Sequence, residues 1–274
     1  MLFRSSSWYA RYAAHAASWG YAVLQYDARP LALTPDALEL GWLGDAVAWA
    51  AASAPVDAST LVLSGHSRGA KLAALHWAGA RAPPAPAGGP TPRPAPRAVA
   101  CFLLDAVDST SFAPPSRAYP SAADALPGAG PVGLASAAVV GACNPGGSGY
   151  RRLWPATAPG SANLVLAAGH AQFYDGGAVW NRLSDLLCGV GPAGRDATMR
   201  IAAASLVAWA DDAVRPGAGG GRRALAAWAG AAAAAGRGEG AAVEAWQVKK
   251  GRERESPPSP SGGRERVAAA AAVV

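Results

Sequence analysis

Histidine and cysteine are both scarce in this chain, with four histidines and three cysteines in 274 residues. The cysteines, Cys101, Cys143 and Cys188, lie far apart and form no C-x-x-C pair or Cys/His cluster. That excludes a zinc ribbon or finger and a disulfide framework. A reduced, intracellular protein fits this usage, and one isolated bridge stays open as the alternative. Long hydrophobic runs are also missing. The longest, Leu225 to Ala235, falls short of the roughly 20 apolar residues that span a bilayer. The opening MLFRSSSWYARYAAHAASWGYAV lacks the charged, apolar and cleavage-site order of a signal peptide. Arg4 and its serines faintly suggest a transit peptide, but the segment reads better as a first helix.

Charge is sparse too, at 15% of residues, and its excess is unevenly placed. The net charge is +6, and from residue 213 onward ten Lys or Arg face five Glu, a balance of +5. Residues 1–212 therefore show none of the clustered basic pattern expected of a folded nucleic-acid surface. The basic tail reads as a solvated segment, with peripheral contact to anionic lipid as the alternative.

Short apolar runs do alternate with helical patterns, which predicts an α/β domain over residues 1–212 with a mostly parallel sheet flanked by helices. Strands are expected at 21–26, 61–64, 99–104, 135–141 and 164–168. Helices are expected at 8–18, 36–52, 68–80, 178–187 and 197–211. Residues 81–97, with seven prolines, read as an extended surface insertion. Residues 213–274, rich in Gly, Ala, Arg and Glu, read as a low-complexity, disordered tail with one or two transient Ala helices.

Within this frame Gly65-His66-Ser67-Arg68-Gly69 satisfies G-x-S-x-G between a strand and a helix, the setting of a nucleophile elbow. The helix N-terminus would stabilise an oxyanion there, with the Arg68 N–H as donor. The alternative is a chance pentapeptide in a chain with 33 glycines. A base and an acid would decide. His66 lies inside the elbow, and His15 and His76 lie in helical patterns. His170 follows the run LVLAAG late in the chain, where the Ser, acid, His order of such folds requires the base. Among the acids, Asp105 ends the strand VACFLL and needs a hydrogen-bonding partner there. Asp124 sits in a polar loop and Asp175 follows the histidine. Asp108 is either a turn residue or, with His66, part of a substrate pocket. No cofactor or metal is implied.

With those residues placed, the chain resembles the chlorophyllases of plants and green algae. GHSRGAK matches a GHSRGGK-type elbow, and LLDAVDST is similar to a D-P-V-D-G segment that carries the acid. GACNPGGSGYRRLWPA is similar to a C-A-P-x-G stretch, LAAGHAQFYD to the G-H segment of the base, and GRDATMRIAAASLVAWADD to an R-x-x-M-R helix start. Upstream, WYARYAAHAASWGYAVLQYD is similar to a helix and strand of the same family. The likeness runs in order over residues 3–212. It implies an α/β-hydrolase fold, the triad Ser67, Asp105 and His170, hydrolysis of the phytyl ester of chlorophyll, and a chloroplast setting. It also implies a strand ending in an HG-type turn that donates the second oxyanion N–H. This chain begins beyond that point, so the expectation is an N-terminally truncated sheet with an exposed edge. Two other readings stand beside it. One is a hydrolase of short-chain or lipid esters, similar to platelet-activating-factor acetylhydrolases. The other is an inactive remnant that binds pigment or lipid.

Overall fold

A computed structural model describes residues 5–27, 34–79, 96–110, 113–215, 220–235, 242–250 and 268–272. Seven strands occur among them: β1 (Ala22–Leu24), β2 (Asp57–His66), β3 (Ala100–Leu104), β4 (Gly133–Val139), β5 (Ala162–Gly169), β6 (Val243–Val248) and β7 (Ala268–Ala272). The helices are α1 (Ala10–Ser18), α2 (Asp36–Ser53), α3 (Arg68–Trp77), α4 (Ala122–Ala125), α5 (Tyr150–Leu153), α6 (Ala178–Cys188), α7 (Arg195–Val214) and α8 (Gly221–Ala235). The strands form one sheet in the order β1-β7-β2-β3-β4-β5-β6, with every neighbour parallel except the antiparallel β5–β6 pair. The expected α/β class, with a mostly parallel sheet between helices, is what the chain adopts.

Strands β3 and β5 are buried along their whole length, as a sheet covered on both faces requires. Alternation then sorts their side chains into two cores. Val62, Phe102, Leu104, Leu164 and Leu166 face α1 and α7, packing with Tyr12, Met199 and Leu206. Leu61, Leu63, Cys101, Leu103 and Leu134 face the other way, packing with Leu40 and Leu43 of α2 and Leu72 and Leu75 of α3. The carboxyl ends of the parallel strands β2, β3 and β5 therefore emerge at the same rim of the sheet, with β4 between β3 and β5.

Two expectations need correction. The segment after residue 213 is not simply a disordered tail. Leu225, Ala229 and Ala232 recur at helical spacing and are buried, so α8 packs on α7, and Arg222 pairs with Asp212 at 2.8 Å. Strand β6 then covers the open edge of the buried β5, with Asn163 donating to Gln247 at 3.1 Å. Composition alone hid this, because alanine fits a close helix contact as well as it fits a low-complexity tail. The cysteines are also not all reduced: Cys143 and Cys188 form a disulfide, while Cys101 is free and buried. Residues 81–95 of the proline-rich segment and 251–267 of the tail lie outside the described residues.

Candidate active site

Strand β2 ends at His66 and α3 begins at Arg68, leaving Ser67 alone on the turn with φ 58° and ψ −120°. Among the described residues only one other non-glycine has positive φ, and it is Asp105, at 36°. Such conformations cost on the order of 1–3 kcal/mol each and persist only where the surroundings enforce them. Here the enforcement is visible. The Ser67 N–H donates to Leu104 O at 3.0 Å, and Ser67 O accepts from Val107 N at 3.2 Å, which ties the elbow to the turn after β3. The Asp105 N–H donates to Ala135 O at 2.7 Å, tying that turn to β4.

These two strained residues meet the histidine at the end of β5. His170 Nδ1 lies 2.6 Å from Asp105 Oδ2, and His170 Nε2 lies 2.9 Å from Ser67 Oγ. The alignment of acid, imidazole and hydroxyl is that of a nucleophilic triad, and Ser67, Asp105 and His170 come together as the sequence reading expected. The second carboxylate oxygen of Asp105 accepts the Ala137 N–H at 2.9 Å, and Oδ2 also accepts from Asn144 Nδ2 at 3.1 Å. Both carboxylate oxygens are thus satisfied in a site where Asp105 and His170 are essentially inaccessible.

The base segment is braced by residues that the sequence reading missed. Gln172 Oε1 accepts both the Gly169 and the Gly191 N–H, at 2.6 and 2.7 Å. Tyr12 donates to Phe173 O at 3.0 Å, and Arg195 donates to Ala171 O and Tyr174 O. Gly169 permits the close approach this needs, because a Cβ there would lie 1.9 Å from Gly189 O. A glutamine two residues after the histidine was the one signal available in the sequence, and it carries no meaning until the 189–191 turn is seen beside it.

His66 and Asp108, read as pocket residues with a turn role as the alternative for Asp108, are both buried among polar partners. His66 is 1% exposed, with Nδ1 2.9 Å from the Tyr9 hydroxyl and Nε2 3.2 Å from His170 O. Its ring packs 4.5 Å from that of His170 and against Phe173 and Tyr174. Asp108 is fully buried and structural: it accepts from Ser121 Oγ and the Ala122 N–H and pairs with Arg152 at 2.7 Å. Apolar neighbours at 106 and 107 make a carboxylate there look like a lining group, but the turn of α4 and an arginine claim it first.

Arg68 sits at the first position of α3, where an N–H has no intrahelical acceptor and is aimed from the positive end of the helix. Its side chain anchors that turn, pairing with Asp36 at 2.6 Å and Glu39 at 2.9 Å, while Lys71 pairs with Asp36 at 2.7 Å. Two buried carboxylates against two cations make a neutral cluster. Burial raises Glu39 above the usual carboxylate range, against the pull of Arg68. Burial works against the charge of Arg68 as well, yet Asp36 and Glu39 hold its proton affinity above the ordinary value.

His66, Asp105 and His170 offer potential metal-ligand atoms within 4.8 Å of one another. All four ring nitrogens and both carboxylate oxygens, however, already have the partners named above. A metal there would have to break the relay. The pair of histidines is better explained as an imidazole held by Tyr9 packed on one held by Asp105.

No helix among the described residues is long and apolar enough to cross a membrane. Comparison of the chain with protein-family models, with curated proteins and with solved structures returned no significant match, so any functional reading rests on the residues and geometry above.

Proposed function

We propose that the chain is a serine carboxylester hydrolase of the α/β-hydrolase type. The observation that carries this is the continuous relay from Asp105 through His170 to Ser67, at 2.6 and 2.9 Å, with the serine on a strained turn before a helix. His170 Nε2 takes the Ser67 proton as Oγ attacks the ester carbonyl, and Asp105 holds Nδ1–H in the required tautomer. The Arg68 N–H and the α3 N-terminus stabilise the oxyanion. His170 then protonates the departing alcohol, and water, deprotonated by the same imidazole, releases the acid from Ser67. No step needs a cofactor.

For the substrate we infer an apolar ester, and the chlorophyllase-like segments make the phytyl ester of chlorophyll the first choice, yielding chlorophyllide and phytol. A chloroplast setting belongs to the same inference. An exposed apolar row on α6, comprising Val179, Leu183, Leu186 and Leu187 and following directly from the base segment, supports an ester met at a lipid surface.

The test is turnover of chlorophyll and of p-nitrophenyl butyrate by the purified chain and by Ser67→Ala. Chlorophyllide formation that the substitution abolishes supports the proposal. Serine-dependent cleavage of the short ester alone redirects it to a short-chain esterase. Absence of serine-dependent turnover, together with no labelling of Ser67 by a fluorophosphonate, refutes it.

A further inference from the structure

We infer that Asn144 is a positioning residue of the triad, one that sets the proton affinity of His170 through Asp105. This rests on the hydrolase reading above. Its Nδ2 donates to Asp105 Oδ2 at 3.1 Å, the same oxygen that accepts from His170 Nδ1 at 2.6 Å. One carboxylate oxygen therefore serves two donors. The amide dipole lowers the negative potential that Asp105 presents to the imidazole, and so weakens the hold of the pair on an imidazolium proton.

The placement of Asn144 is specified on several sides. Its Oδ1 accepts the Gly141 N–H at 3.0 Å, which orients the amide and leaves Nδ2 facing the carboxylate and Val139 O at 3.3 Å. Its neighbour Cys143 is covalently bound to Cys188 at the end of α6, and the Ala142 N–H donates to Leu187 O at 3.2 Å. A Cβ at Gly141 would lie 2.2 Å from Cys188 O, so the turn at 141–144 is seated directly on that helix end. Asn144 is 3% exposed, and a neutral donor in that position is worth more than at a surface.

In the mechanism this has a definite consequence. The imidazole must be unprotonated to accept from Ser67, so the acidic limb of kcat/KM follows the His170–Asp105 pair. Removal of the amide leaves the full charge of the Asp105 carboxylate facing the imidazole and so strengthens its attraction for the imidazolium. The limb then moves to higher pH, and activity below it falls.

The experiment compares wild type and Asn144→Ala in the pH dependence of fluorophosphonate labelling of Ser67 and of ester kcat/KM. The expected result is a limb displaced upward by about 0.5–1 pH unit, with a shift of the low-field His170 Nδ1 proton resonance and a plateau rate within about tenfold of wild type. A variant that folds, labels at Ser67 and keeps the wild-type limb overturns the inference while leaving the hydrolase reading intact. Wild-type protein that never labels at Ser67 overturns the reading itself. If the variant does not fold, the side-chain amide of Asn144 is followed by NMR in the wild-type protein. A resonance that titrates together with the His170 Nδ1 proton, and ceases to do so in Asp105→Asn, supports the inference. One that does not follow that titration overturns it.

Discussion

Asp105→Asn isolates the tautomer requirement more cleanly than any truncation at this site. Asparagine, like aspartate, tolerates positive φ, so the 36° backbone of residue 105 is not newly strained. What changes is the hydrogen-bond arithmetic. The carboxylate accepts from three donors: the Ala137 N–H, Asn144 Nδ2 and His170 Nδ1. An amide offers one oxygen and one NH2 group. If its oxygen turns to His170 and Asn144, its NH2 meets the Ala137 N–H, which the strand holds in place. If the oxygen stays on Ala137, the NH2 faces His170 and Asn144, and the imidazole can answer by moving its proton to Nε2. Either arrangement leaves about one buried donor unmatched, a cost of about 1–3 kcal/mol. Side chains yield more readily than the β4 backbone, so the second arrangement wins. His170 Nε2–H then points at Ser67 Oγ and cannot accept its proton. The expected loss in kcat is about 10⁴-fold, or about 5.5 kcal/mol, with Tm lowered by roughly 2–12 °C. Steady-state hydrolysis of p-nitrophenyl butyrate measures the rate, and ¹⁵N shifts of the His170 ring report the tautomer. Activity within tenfold of wild type, in a folded variant with Nδ1 still protonated, would refute the reasoning.

Three further outcomes are expected. Reducing Cys143–Cys188, whose ends are 45 residues apart, releases a chain constraint of about 4 kcal/mol in the loop-entropy treatment; denaturant titration with and without a reductant tests this, and identical midpoints would contradict it. Burial lowers His76 to about 4, and its Nε2 has no partner among the described residues. The unfolded chain takes up that proton near pH 6.5 and the folded chain only near 4, so stability is full above 6.5 and falls by about 2–3 kcal/mol between those values. His76→Leu removes that part of the acid loss, which a series of melts from pH 7 to 4 would show. Finally, Leu186 is 82% exposed on α6, and Leu183→Asp/Leu186→Asp is expected to lower turnover of vesicle-borne esters severalfold while leaving a soluble ester untouched; equal losses on both substrates would remove α6 from substrate access.

The convergence of Ser67, Asp105 and His170 was legible because each sits where an apolar strand stops and a small set of residue types must follow. With four histidines, elimination reached His170. The partners of those residues were not legible for a physical reason. Asn144, Gln172, Tyr9 and Arg195 act across sequence separations that only the folded sheet closes, such as the 39 residues between Asn144 and Asp105. Polarity at 66 and 108 was visible, but polarity alone does not tell a pocket wall from a buried carboxylate claimed by Arg152 or an imidazole claimed by Tyr9. Alanine-rich α8 was legible only as a transient helix, because small residues carry weak periodicity, and the packing of α8 and of β6 shows only once α7 and β5 are there to receive them.

The alanine run at 268–272 makes the sharpest test of the sheet. It pairs in parallel with β1 on one side, Val23 opposite Ala270, and with β2 on the other, Val62 opposite Ala270. An internal strand carries ladder bonds to both neighbours, so proline is excluded from it on steric and hydrogen-bonding grounds. Ala270→Pro removes one N–H donor whichever neighbour it serves and leaves its ladder acceptor unpaired, at a cost of about 1–3 kcal/mol, which lowers Tm by roughly 2–12 °C for a domain of this size. Because β2 ends at the nucleophile elbow, the same opening loosens Ser67, so esterase activity is expected to fall before global unfolding begins. Wild-type melting and activity in Ala270→Pro would show that β1 and β2 do not depend on this strand, and that the elbow is held by β3 alone, through the Ser67 to Leu104 hydrogen bond.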